Sequence, residues 1–509
     1  MSADVRSSRR WPWLVPVAVF AVTYWNAGRL GAVAAATIGT GVVWWVARRP
    51  GPWTVVLLTL LPFDLFASAA LYRLGVPASV LRPIRYWPEL ILAGLALAGL
   101  VPLWSGQVRW RRLDALDAAA LAYGALATLY LLAPKSLVEA PVGRDLSLYA
   151  RALGWRTDAM YVAAFLVARR LPLDRALRQR LPALVAATGT FVAALGLVEF
   201  VTPGGWNAFA AGLLHVPRYQ RDITHALPIG SGLDSVEAFG RIGGTRLVRV
   251  GSVLDYESLG FYLALCLGIV ADRVSRHGAP RWMYRAVPVL GVGLLVTQTR
   301  SGILAGVIAA GLALRPRAGR REVDARRLVA IAAAAVALAV VANVSTGFGT
   351  RLAGDQVSNQ AHGVEVSQGV HALVAYPLGR GLSTSGPQYK RSALGGTGLS
   401  VPYTGAATGI LVTDDQWLAV GTELGFVGLA LYLVLCVLLL RRLGRTGSGD
   451  GAGEGLRNAA VGILIGGTFL QPFINEAVSL SLFVLAGLAT SDARPGAVSP
   501  VRSVSVAGR

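Results

Sequence analysis

The chain has 509 residues, of which 54% are hydrophobic and 15% charged, with a mean hydropathy of +0.54 and a formal net charge of +21. A soluble chain of this length needs far more polar surface to cover its cores. Apolar blocks of 15 to 20 residues recur instead, which points to a polytopic membrane protein. The basic residues fall in short clusters between these blocks rather than in one patch, so the expected partner is a lipid bilayer and not nucleic acid.

Taken in order, the apolar blocks predict spans near 11–28, 30–47, 53–70, 88–104, 115–133, 157–170, 181–201, 256–271, 286–299, 301–314, 328–345, 417–440, 457–473 and 475–490. The first block, Trp11 to Ala27, lacks a clear small-residue cleavage site and reads as a retained span. The expected fold is an all-α integral membrane protein of about 12–14 transmembrane helices, with a long extracytoplasmic loop between the spans near 328–345 and 417–440. The chain divides into N-terminal helices (1–201), an outer loop (202–255), helices with a TRSG motif (256–345), the long loop (346–415), C-terminal helices (416–490) and a tail (491–509).

With Arg6, Arg9 and Arg10 placed in the cytoplasm, the other dense basic clusters follow them. Arg48 and Arg49, Arg109 to Arg112, Arg169 to Arg180, Arg273 to Arg285, Arg315 to Arg327 and Arg441 to Arg445 all fall on the inner side. Both termini are then cytoplasmic and the protein sits in the cytoplasmic (inner) membrane. The outer loops nevertheless carry Arg73, Arg82, Arg85, Arg144, Arg151, Arg156, Arg218, Arg221, Arg241, Arg246 and Arg249, against the topology bias. Each alone reads as a solvated loop charge; as a set they suggest an outward cavity for an anion, since guanidinium suits fork-like phosphate binding.

Cys266 and Cys436 lie inside apolar blocks, placed like small core residues rather than disulfide partners or ligands. Asp64, in LLPFDLF, is an intramembrane carboxylate and a functional candidate whose partner the sequence does not name. His215, His225, His362 and His371 are spaced for no metal site. In VTQTRSGILAG, Arg300 stands between two apolar blocks at an expected membrane edge, where a charge is retained for a partner or snorkels to water. Asp414 and Asp415 precede the next apolar run, TDDQWLAVGTELGFVG. The pair suits a helix N-cap with an acidic first turn, a general base, or a site for a hard divalent cation.

TQTRSG at 297–302, YPLGRGLS at 376–383 and DDQWLAVGTELGFVG at 414–428, in that order and spacing, resemble the O-antigen ligase and Wzy-type polysaccharide polymerase family. The resemblance covers about 240–440, while the earlier spans match only in character. It implies a lipid-carrier-dependent glycosyltransferase without cofactor or nucleotide-sugar site. Its donor is a glycan on undecaprenyl pyrophosphate, and its acceptor the sugar hydroxyl of a glycan or lipid. By motif position, Arg249 and Arg300 carry over as pyrophosphate-binding residues, with Asp414, Asp415 and Glu423 as catalytic candidates. Tyr389, Lys390 and Arg391, just after the Pro-x-Gly-x-Gly element, are candidates for sugar or phosphate binding. Ligases have His then Asn where Asp414 and Asp415 stand, so this chain departs toward the polymerase branch. The rival expectation is a membrane transporter or a lipid-linked oligosaccharide flippase, which would concentrate its polar groups near the bilayer midplane.

Overall fold

The computed structural model of the chain describes residues 30–104, 113–134, 147–224, 238–242, 245–276, 279–315, 356–385, 413–450 and 452–491. Among these residues, five helices are long and apolar enough to cross a membrane, or six if the bent pair Ala78–Ile84 and Trp87–Val101 is one span. The first half comprises α1 (Leu30–Arg48), α2 (Pro50–Leu60), α3 (Asp64–Arg73), α4 (Ala78–Ile84), α5 (Trp87–Trp104), α6 (Ala115–Leu132), α7 (Leu148–Asp158), α8 (Met160–Ala168) and α9 (Arg175–Val201). Two short helices follow, α10 (Pro203–Asn207) and α11 (Val216–Tyr219), then an antiparallel hairpin of β1 (Ala238–Ile242) and β2 (Thr245–Arg249). The second half is α12 (Tyr256–Ser275), α13 (Arg281–Val296), α14 (Arg300–Leu314), α15 (Gln356–Ala375), α16 (Gln416–Asp450), α17 (Ala452–Gly466) and α18 (Glu476–Thr490).

Helices α12, α14 and α17 form the tightest part of the bundle, because small residues let their backbones meet. A Cβ on Gly302 would lie 2.8 Å from the Cα of Gly260, and one on Gly462 would lie 2.2 Å from the carbonyl oxygen of Ala305. Apolar helices gain little from hydrophobic burial in lipid, so close van der Waals packing of this kind is what draws them together. Around this centre α12 is buried on every side, from Leu259 to Ala271.

The basic clusters of the described residues collect at one end of the bundle. There Arg169 pairs with Asp114 (2.8 Å) and Asp117 (2.6 Å) and reaches the carbonyl of Thr490 (3.4 Å). Arg276 bridges Asp272 (2.8 Å) and Glu454, and Arg178 donates to Ser491 (3.0 Å). At the opposite end Arg156 pairs with both Glu89 and Glu476. The partner of Asp64 also lies there: the Trp87 indole N–H donates to its carboxylate at 2.6 Å.

Several boundaries differ from the sequence expectation, each for a local reason. The block at 53–70 is interrupted by a 3-10 turn, Leu61–Phe63, centred on Pro62, which has no N–H to continue an α-helix. The expected span at 181–201 begins earlier, at Arg175, because Asp174 accepts the N–H of Leu177 (2.7 Å) and caps it. The span at 157–170 is preceded by α7, itself capped by Ser147, with a break at Ala159. The block at 286–299 is helical only to Val296. The long polar loop contains a helix, α15, whose mixed polar and apolar residues gave no clear periodicity.

Candidate functional site

Three segments distant in sequence meet at the end of the bundle opposite Arg169 and Arg276. Strand β2 ends on Arg249, and the next residue, Val250, donates its N–H to the carbonyl of Val296 (3.4 Å), so Arg249 lies beside the turn joining α13 to α14. The Arg249 guanidinium stacks over the ring of Tyr256 at 3.8 Å and its Nη2 donates to the carbonyl of Gln298 at 3.4 Å. Arg300, exposed, opens α14 two residues after Gln298. The two arginines that motif position singled out are thus brought together. A cleft beside them is lined by Phe66, Glu199, Trp206, Ser252 and Tyr256 as well as Arg249.

The turn before Arg300 is fixed by its threonines. The Thr297 hydroxyl donates to Leu294 (2.7 Å) and accepts the Thr299 N–H (3.2 Å), while Gln298 adopts a left-handed φ of 54°. The Thr299 hydroxyl donates away from its own helix, to the carbonyl of Tyr256 (2.8 Å), and makes no side-chain cap on α14. Its neighbours differ: Asp255 caps α12, Asp415 caps α16 and Asn475 caps α18. Just inside α14 the hydroxyl of Ser301 is buried and has no hydrogen-bond partner among the described residues. An α-helix N-terminus without a side-chain cap is a favourable place for an anion.

The carboxylate pair borders the same place. Gly466 at the end of α17 packs on the carbonyl of Ser301, and the next residue, Gly467, accepts the Gln416 N–H at 2.8 Å. Two helix N-termini, those of α14 and α16, therefore flank Gly466 and Gly467. Asp415 is the cap: its Oδ1 accepts the N–H groups of Trp417 (2.7 Å) and Leu418 (3.0 Å), and it is only 8% exposed. Burial pushes the Asp415 carboxyl above its ordinary range, against the pull of those two N–H groups. Asp414, half-buried, precedes it outside the helix. The Gln471 amide ties the segment down by donating to the carbonyl of Thr413 at 2.5 Å.

Glu423, a catalytic candidate by motif position, binds a neighbouring segment of backbone. Its carboxylate accepts the N–H of Ser383 (2.7 Å) and both the N–H (3.0 Å) and hydroxyl (2.7 Å) of Ser385, so it clamps the end of the YPLGRGLSTS segment. Two backbone bonds align the same segment with α16, from Arg380 to Thr422 (2.8 Å) and from Gly381 to Glu423 (3.0 Å). The clamp depends on a break at Gly425 (φ 70°, ψ −172°), where a Cβ would sit 2.4 Å from the carbonyl carbon of Leu378. At that break the first limb of α16 folds back: the rings of Trp417 and Tyr432 lie 5.5 Å apart. A straight helix would separate two residues at that spacing by ~22 Å.

A residue that sequence reasoning missed completes the clamp. Asp158, 7% exposed at the end of α7, shares a hydrogen bond with Glu423. Its signal was available, since Asp158 lies inside an expected span as Asp64 does. The hydroxyl of Ser301, the guanidinium of Arg380 and the serines at 383 and 385 left no such signal. Tyr389, Lys390 and Arg391 lie outside the described residues, as do His225 and the expected span at 328–345.

No protein-family model and no curated protein matches this chain. What the site can do is therefore read from its own groups. It holds two guanidinium groups and a helix terminus without a side-chain cap, suited to an oxyanion, beside Asp414, which stands just outside the helix that Asp415 caps. Among the described residues, no three His, Cys, Asp or Glu side chains converge as metal ligands.

Proposed function

We propose that the protein transfers or polymerises glycan from an undecaprenyl-pyrophosphate-linked donor onto an acceptor sugar hydroxyl, at the outer face of the cytoplasmic membrane. It would cross that membrane about 12–14 times with both termini inside. The observation that carries the reading is the convergence of Arg249, the Arg300 end of α14 and the Asp414–Asp415 start of α16 on one end of the bundle. In the reaction the acceptor oxygen forms a bond to the anomeric carbon as the carbon–oxygen bond to pyrophosphate breaks. The electron pair leaves on the lipid pyrophosphate, held by Arg249, Arg300 and the N-terminus of α14. The acceptor's proton goes to Asp414. Asp415 positions Asp414 by capping the helix, and Glu423 positions the YPLGRGLSTS segment.

A flippase or transporter draws support from the interior group of Asp158, Glu423, Tyr123, Tyr161 and Tyr432, which lies deeper than the arginines. One experiment separates the two readings. Purified protein in liposomes receives an undecaprenyl-pyrophosphate repeat unit, and the products are sized. Longer glycans, or glycan on a new acceptor, mark a transferase; movement of the unchanged repeat across the bilayer marks a flippase and overturns the proposal.

A further inference from the structure

Among the described residues the guanidinium of every buried arginine but one finds a polar partner: Arg169 lies against Asp114 and Asp117, and Arg151 donates to the carbonyl of Ala133 at 2.6 Å. Arg380 does not. It is 8% exposed, its Nε has no hydrogen-bond partner among the described residues, and its guanidinium lies 5.5 Å from the ring of Tyr376 with no carboxylate paired to it among those residues. A guanidinium taken out of water without a counter-charge is costly, so such a group is retained when an anion supplies the charge.

The segment around it is rigid and carries a second unmet group. The N–H groups of Gly379, Arg380, Gly381, Ser383 and Ser385 are all bonded, to Tyr376, Thr422 or Glu423. Three residues beyond Arg380, the hydroxyl of Ser383 is fully buried with no partner, on a non-glycine residue held at a left-handed φ of 64°. Buried unsatisfied groups and strained backbone together mark places where a ligand completes the structure.

We propose that Arg380 and Ser383 form a second oxyanion site, for a phosphate or pyrophosphate group, distinct from the one at Arg249 and Arg300. Arg380 supplies the charge and the Ser383 hydroxyl donates, while Glu423 and Gly425 hold the turn that presents them. This site goes beyond the transferase reading and does not require it.

Binding of inorganic pyrophosphate is measured by calorimetry on protein in phosphatidylcholine nanodiscs, on an Arg249→Met, Arg300→Met background so that the other site is silent. A parallel arm uses nanodiscs containing phosphatidic acid and follows the melting temperature. Binding of the free anion alone, or stabilisation by the lipid phosphate alone, identifies the source, and either supports the site. Adding Arg380→Met should weaken the response at least tenfold, Arg380→Lys should retain part of it, and Ser383→Ala should weaken it severalfold. Without anion, Arg380→Met should melt no lower than its parent, since it removes an uncompensated charge; a purely structural arginine would lower it. Undiminished anion response in Arg380→Met and Ser383→Ala, or no response in the parent with either probe, overturns the proposal.

Discussion

Ser385 donates twice to Glu423, through its backbone N–H at 3.0 Å and its hydroxyl at 2.7 Å. With the Ser383 N–H and the bond to Asp158, this commits the carboxylate to holding one segment against another. Glu423→Gln turns an amide NH2 toward donors that need an acceptor, and each unsatisfied buried group costs about 1–3 kcal/mol. The expected result is a lower melting temperature together with faster proteolysis of the segment at 376–385, with transfer activity falling in step. Loss of activity with an unchanged melting temperature and proteolysis would return Glu423 to the list of catalytic groups.

Arg300 and Arg249 should respond alike to loss of the fork. Arg300→Ala should lower transfer by about a hundredfold or more with expression intact, the usual scale for removing a donor to developing negative charge. Arg300→Lys should recover little, because a point charge does not reproduce bidentate geometry. Arg249→Lys should behave similarly and also lose the stack on Tyr256. Near-normal turnover in Arg300→Ala would make it a snorkelling side chain.

The two adjacent aspartates should separate cleanly. Asp415→Asn keeps the cap, since Asn caps about as well as Asp, whereas Asp415→Ala should cost about 1 kcal/mol of stability. Asp414→Asn should leave stability alone and reduce transfer by about two to four orders of magnitude, the span for loss of a general base. Initial rates and melting curves on the three variants decide it; full activity in Asp414→Asn removes the base assignment.

Asp415 also predicts a pH effect of defined sign. Its folded pKa is raised by burial, so the folded state holds the proton more tightly than the unfolded chain does. Its contribution is fully present below the unfolded carboxylate value and is lost as pH rises through the folded one. Melting temperature measured against pH across that window should therefore fall in the wild type relative to Asp415→Asn. A difference that grows with acidification instead would show the opposite shift.

Two glycines test the backbone geometry. Gly425→Ala places a Cβ 2.4 Å from Leu378 on a residue with φ 70°, and the left-handed conformation alone costs about 1–2 kcal/mol. Gly302→Ala meets Gly260 at 2.8 Å and must push α14 from α12, carrying Arg300 with it. Both should lower stability, and Gly302→Ala should reduce transfer beyond what its stability loss explains.

The bundle was legible where physics acts along the chain. Apolar blocks located most helices, because lipid penalises charge wherever it falls within a span. The site was half legible, with Arg249, Arg300 and Asp414 visible through motif order. The clamp was not. Nothing in the spacing of Asp158, Ser383, Ser385 and Glu423 says that they meet, because that contact is made by the fold-back at Gly425, and a glycine in an apolar run reads equally well as packing.

The cap on α14 is missing while α12, α16 and α18 each have one from their own side chains. That asymmetry leaves the helix terminus and the neighbouring arginines together to draw an anion to this end of the bundle. Ambient inorganic anions will then compete for it, so sulfate or phosphate in the assay buffer should act as an inhibitor, and chloride, a poorer acceptor of several N–H donors, should do so less.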